Sequence, residues 1–221
     1  MTQATGETAA PRYSLAERLK QRWRWEKYRF REYLGDRALA IETLWDRPKG
    51  ALNPLDRNQP YEAISYEGLK IVRDHARPGA ADRFFDVGCG AGRALCFFAR
   101  QPLQACIGIE YDEALSARAL RNAAAMKGRK APIDVQTISA ERADYSGCTI
   151  AFLYNSFGAD VMRGFLHKLR ADAGESLTML IYANPVHARV IENHAWLRRG
   201  AVFQIPHLCG PVNALVYHGA A

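Results

Sequence analysis

The chain has 221 residues, 48% of them apolar, and a formal net charge of +7. That length suits one domain with an appendage better than two full domains, and the composition is ordinary globular with aromatics enough for a sizeable core. No apolar run is long enough to span a bilayer, and Met1 to Ala10 lack the apolar centre of a secretory signal, so a cytoplasmic protein is expected.

The positive charge is uneven. Through Arg37 there are nine basic residues against five acids. The stretch LAERLKQRWRWEKYRFREYL has a helical pattern, with Leu15, Leu19, Trp23, Phe30 and Leu34 near one stripe and Arg and Lys around it. A helix over 14–34 packed on the domain is expected, then a second over 36–45. Trp23, Trp25, Tyr28 and Phe30 are too many aromatics for a purely solvated helix, so the element is expected to cover something, and a cap guiding an acidic substrate is one reading. Residues 46–60, rich in turn formers, read as a loop that could close with it over the substrate.

Past this extension, strand and helix patterns alternate. Ser65 can cap a helix over 65–76. Strands are expected near 83–88, 105–110, 133–138, 149–154 and 177–183, with helices near 92–101, 112–127, 158–171 and 187–197. Two strand-like runs, 201–206 and 213–218, close the chain as a hairpin. The division is therefore 1–60 as a helical extension and 61–221 as an α/β domain, a mostly parallel sheet with helices on both faces.

The most informative stretch is FFDVGCGAGR. An apolar strand meets Asp86, then Gly88, Gly90 and Gly92 in alternation, then a helix. Gly88 permits the sharp turn, Gly90 lets a ligand approach the backbone, and Gly92 opens the helix. The dinucleotide spacing G-x-G-x-x-G would need glycine at position 93, which is Arg93. Asp86 would repel phosphates but suits an ammonium or sulfonium. Glu110 ends the second strand, where an acid accepts both hydroxyls of a ribose, as it does in nicotinamide-dinucleotide binders too. A favourable charge at the next helix start is the other reading, and the place of Glu110 as the last strand residue favours the ribose.

The five cysteines (Cys89, Cys96, Cys106, Cys148 and Cys209) form no CxxC pair, and the histidines lack ligand spacing. Reduced thiols are expected, and no metal site.

DVGCGAGR, IGIEYDEALSARALRNAA and TIAFLYNSFG together resemble the class I S-adenosylmethionine-dependent methyltransferases. YEAISYEGLKIV and LIYANPVH resemble small bacterial members, with a distant likeness to the catalytic domain of DOT1-like histone-lysine methyltransferases. The resemblance covers roughly 61–218. It implies a Rossmann-like seven-stranded sheet with the last strand antiparallel, and S-adenosylmethionine as cofactor. It implies Asp86 near the methionine amino group, the 88–92 backbone with Cys89 around the methionyl part, and Glu110 on the ribose. Tyr61 and Tyr66 would lie on the approach to the methionine end, and Arg93 and Tyr111 count among the cofactor's neighbours.

Two places depart from the family pattern. Ser139 stands where an acid often contacts the adenine, with Glu141 two residues on as the alternative contact. At the fourth strand, adenine and amide N-methyltransferases carry Asn/Asp-Pro-Pro-Tyr/Phe, whereas this chain has Asn155-Ser156-Phe157-Gly158. Asn155 still ends a strand facing the crevice. Asn155, Tyr66 and Glu62 are the candidates to orient a nucleophile or help remove its proton. A small-molecule acceptor is expected from size alone. A protein-lysine or RNA acceptor, a catalytically silent cofactor-binding protein, and a nicotinamide-dependent oxidoreductase remain as alternatives.

Overall fold

The computed structural model describes residues 14–44 and 61–219. The 46–60 loop and the N-terminal ten residues lie outside them, as does Trp45, the last residue of the second expected helix.

Helix α1 (Leu15–Leu39) starts at a reciprocal cap, in which the Ser14 hydroxyl accepts the Glu17 N–H and the Glu17 carboxylate accepts the Ser14 N–H. It does not break after Leu34. It runs through Gly35 and ends at Ala40, in the left-handed region at φ 58°. The expected helix over 36–45 is therefore corrected: 36–39 is the last turn of α1, and 40–44 is not helical. Gly35 is there for space, since a Cβ at this position would collide with the Tyr66 ring.

Beyond residue 60 the order is α2 (Tyr66–Ala76), β1 (Arg83–Val87), α3 (Arg93–Phe98), β2 (Ala105–Glu110), α4 (Glu113–Ala125), β3 (Ile133–Thr137), β4 (Ile150–Tyr154), α5 (Ala159–Ala173), β5 (Met179–Ala183), α6 (Ala188–Glu192), β6 (Leu197–Ile205) and β7 (Val212–Gly219). One seven-stranded sheet results, ordered β3-β2-β1-β4-β5-β7-β6. β7 runs antiparallel to both its neighbours, and the pairs among β1 to β5 are parallel. The expected helix over 187–197 shrinks to one short turn, because β6 claims Leu197 for its pairing with Gly219.

Alternation along β1 separates two cores. Phe85 and Val87 face one layer with Phe165, Leu166 and Leu169 of α5. Phe84 faces the other, with Leu69 and Val72 of α2 and Leu95 and Phe98 of α3. Asp86 shares the Phe84 face, which brings it under the start of α3. The strand order reverses between β1 and β4, so a crevice opens at their carboxyl ends. Among the described residues no helix is long and apolar enough to cross a membrane.

Candidate functional site

The turn after β1 is held by main-chain bonds. The N–H groups of Gly88 and Cys89 both donate to the Ile109 carbonyl, at 2.8 and 2.9 Å. Gly88 and Gly90 have φ of 79° and 55°, and each lies against a neighbour that a Cβ would strike: Ser156 at Gly88, the Tyr61 ring at Gly90. Gly92, at φ 81°, caps α3. A Cβ there would press on Ala119 Cα at 3.3 Å, so this glycine serves the packing of α3 on α4 and lies outside the cleft lining.

A cleft of about 570 Å³ opens at the carboxyl ends of the strands. Each of β1 to β5 delivers residues to its rim: Asp86 in β1 and Gly88 to Gly90 after it, Glu110 at the end of β2 and Tyr111 after it, Ser139 and Glu141 after β3, Asn155 after β4, Asn184 after β5. Tyr61 and Glu62 close it from the segment before α2.

Two acids dominate its floor. Asp86 is buried and accepts the Leu95 N–H at 3.1 Å. Burial pushes its carboxyl up to about 7, against the pull of that hydrogen bond, and Glu110 adds repulsion. Glu110 accepts the Gly90 N–H at one oxygen and the Asp112 N–H at the other, both at 2.8 Å. Burial raises it too, and those two N–H groups oppose the shift. Among the described residues neither carboxyl has a cationic partner, and two carboxyls this close suit a positively charged ligand.

Arg93 borders the cleft, but its guanidinium is committed elsewhere. It donates to Glu32 at 2.7 Å, to the Thr43 hydroxyl at 2.6 Å and to the Ile64 carbonyl at 3.1 Å, and lies 3.3 Å from Asp36. Arg93, expected beside the cofactor, lines the cleft and also bolts α1 to the helix behind the glycine turn. Tyr66, expected near the acceptor, is part of the same cluster. Its hydroxyl donates to Asp36 at 2.7 Å, its ring lies under the Arg93 guanidinium, and it does not line the cleft. Tyr61 does line the cleft, its hydroxyl held by the Thr43 carbonyl at 2.8 Å.

Of the candidates to orient a nucleophile, Glu62 and Asn155 line the cleft. Glu62 bonds His207 Nε2 at 2.6 Å, while His207 Nδ1 accepts the Cys209 N–H at 3.1 Å. The backbone N–H thus assigns the ring proton to Nε2, so His207 donates to Glu62. Burial, with Glu32 and Glu62 adding to it, raises the Tyr28 phenol of α1 to about 12. Burial likewise holds the Tyr154 phenol well up, with Glu62 contributing. Asn155 and Asn184 end adjacent strands, both with positive φ, 40° and 50°. Such backbone strain in side chains lining a cleft is a feature of functional sites. Asn155 Oδ1 is buried with no hydrogen-bond partner. Asn184 and His207 were missed from sequence. The dipeptide Asn-Pro after a strand was the available sign for Asn184, and nothing local marks His207.

Among the described residues no cluster of His, Cys, Asp or Glu could hold a metal ion.

No known protein family and no curated protein matches the chain. Solved structures do. The human methyltransferase 10 domain containing protein aligns over 88% of this chain and 97% of its own at 12% identity, with a TM-score of 0.59. The methyltransferase domain of bacterial CtHen1-CN aligns over 69% and 97% at 15% identity, TM-score 0.55. Magnesium protoporphyrin IX methyltransferase from Synechocystis PCC 6803, solved with bound S-adenosylmethionine, aligns over 69% and 76% at 14% identity, TM-score 0.53. The chain has the fold of the class I S-adenosylmethionine-dependent methyltransferases.

Proposed function

We propose that the protein transfers a methyl group from S-adenosylmethionine to a nitrogen or oxygen nucleophile, with a small molecule as acceptor. The observation that carries this is the pair Asp86, buried, and Glu110, half-buried, two carboxyls beside the glycine turn with no cationic partner among the described residues. A ligand that brings one positive charge and a ribose answers both. A pyrophosphate answers neither.

In this reading Asp86 meets the cationic methionyl end, and the Gly88–Gly90 backbone with Cys89 lies along it. Glu110 still has lone pairs free to accept ribose hydroxyls while it keeps its bonds to Gly90 and Asp112. Tyr111, with Ser139 or Glu141, borders the base. The cofactor supplies a methyl group already activated on sulfonium. The chain's task is positioning, which can contribute roughly 7–11 kcal/mol of the barrier.

At the acceptor end, Asn155 Oδ1 offers an unused acceptor to an N–H or O–H of the substrate. Glu62 takes the proton the nucleophile must lose, its other oxygen held by His207. Tyr66 and Arg93 act from behind, by fixing α1 and α3 to each other. The test is a labelled-methyl transfer assay on fractionated cell extract, which reports the acceptor class without a prior guess. Label in a low-molecular-weight fraction supports the reading. Label in protein or RNA moves the acceptor to that class, and no transfer in any fraction leaves only a cofactor-binding protein.

A further inference from the structure

The aromatic stripe of α1 does not cover the domain. At about 100° per residue, Leu15, Leu19, Trp23, Phe30 and Leu34 fall within about 100° of arc. Glu32, Asp36 and Leu39, which dock on the domain, lie on the roughly opposite side of the helix. The stripe is exposed along its length: 66% at Leu15, 62% at Trp23, 60% at Phe30.

Its flanks are cationic on both sides. Arg22 and Arg29 border one edge, and Lys20, Arg24, Lys27 and Arg31 the other. Residues 15–31 hold seven bases and two acids, Glu17 and Glu26, and of the bases Arg31 is paired with Glu67 of α2. An apolar stripe between two rows of Lys and Arg is the layout of a helix lying in a lipid interface, where the apolar line enters the acyl boundary and the long cationic stems reach back to the headgroups. The excess of positive charge selects an anionic headgroup. A second copy of the chain would bring the same charge against itself.

Single-stranded nucleic acid fits less well. Leu15, Leu19 and Leu34 offer no stacking face. The Trp23 ring already carries Lys27 Nζ at 4.1 Å from its centroid, and Trp25 the Arg29 guanidinium at 4.6 Å. Glu26 is the one acid in the stripe, with Arg22 four residues before it and Arg29 three after, spacings at which helix side chains meet.

We infer that the exposed Leu15–Leu34 stripe of α1, with its Arg and Lys flanks, docks the protein on an anionic lipid surface as a peripheral in-plane helix. The inference is independent of the cofactor reading.

The test mixes the full chain with phosphatidylcholine vesicles containing phosphatidylglycerol, with pure phosphatidylcholine vesicles, and with single-stranded oligouridylate. Co-sedimentation with the anionic vesicles only is expected, with a blue shift of tryptophan emission and roughly tenfold weakening from low to physiological salt. Leu19→Ser, Trp23→Ser and Phe30→Ser combined leave the charge unchanged and should lose binding by about tenfold or more. Should that triple variant fail to fold, as read by its melting curve, Phe30→Ser alone carries the comparison. Several results would overturn the inference. They are unchanged vesicle binding by the serine variant, oligouridylate that displaces the vesicles at physiological salt, a dimer abolished by the serine changes, or Trp23 emission shielded from acrylamide in the free protein.

Discussion

Arg93, in the first turn of α3, and Glu32, on α1, form a fully buried ion pair at 2.7 Å across 61 residues of sequence. Asp36, Thr43 and the Tyr66 hydroxyl complete the cluster. The segment outside the βα repeat thereby braces Arg93 and Tyr61, which line the cleft, from behind. Burial raises the Glu32 carboxyl, and the Arg93 charge opposes that rise. Removing one partner leaves an uncompensated buried charge. Arg93→Ala should cost about 3–5 kcal/mol of stability in urea unfolding. Arg31→Ala, whose bridge to Glu67 is exposed, should cost less than about 1 kcal/mol.

Asp86 gives the cleft a pH dependence of known sign. Its folded value of about 7 lies above the ordinary 3.8, because burial disfavours the charge. The folded state therefore holds this proton more tightly than the unfolded chain. The group's contribution to stability is full below about pH 4 and is lost as pH rises through about 7. Asp86→Asn removes the loss, so the variant should be more stable than wild type above pH 7, by an amount of order a few kcal/mol, and nearly equal near pH 4. The same variant should bind a sulfonium ligand worse, and wild-type affinity should fall as pH drops below about 7. Thermal melts and cofactor titrations across pH 5–9 read both effects.

Much of this was legible in the sequence, for identifiable reasons. The apolar runs of β1 and β2 meet glycine and acid at their ends, so period and punctuation agree, and the cleft's floor follows. Gly35 looked like a helix break because its neighbours in space are invisible in sequence; Tyr66 needs the room. Arg93 lines the cleft as the family resemblance implies, but its partners at Glu32 and Thr43 lie 61 and 50 residues away, so its second task of holding α1 cannot be read locally. The aromatic count on α1 is plain in the sequence, but the expected covering role is not what the structure shows: Glu32 and Asp36 anchor the opposite face and leave the stripe exposed. His207 reaches Glu62 across 145 residues, through a loop between antiparallel strands whose register no local pattern reveals.

The Glu62–His207 pair makes a kinetic prediction. Glu62→Gln keeps the shape and removes the proton acceptor, so turnover should fall by about 10²-fold or more with little change in KM. His207→Ala should lower turnover less, and His207→Gln, which restores a donor, should recover part of the loss. Saturation kinetics on the acceptor found by label transfer measure all three. Unchanged turnover in Glu62→Gln would remove Glu62 from the chemistry.

Glu110→Ala should weaken cofactor binding by about tenfold or more, since hydrogen bonds to a charged acceptor contribute about 1.5–3 kcal/mol each. It also strips the Gly90 N–H of its partner in the cleft wall. Glu113→Ala, at the exposed start of α4, should bind as wild type does. Calorimetric titration of the two variants side by side separates a ribose contact from a general loss of negative charge.

The cofactor claim itself is tested most directly by titrating the purified protein with S-adenosylhomocysteine while following its thermal unfolding. At 100 times the dissociation constant a ligand of the native state adds about 2.7 kcal/mol, which for a chain of this length is a rise of roughly 5–10 °C. That rise is expected for S-adenosylhomocysteine and S-adenosylmethionine, with one site per chain, and its loss in Asp86→Asn. A transition unmoved by either compound, together with one moved by NAD, would contradict it.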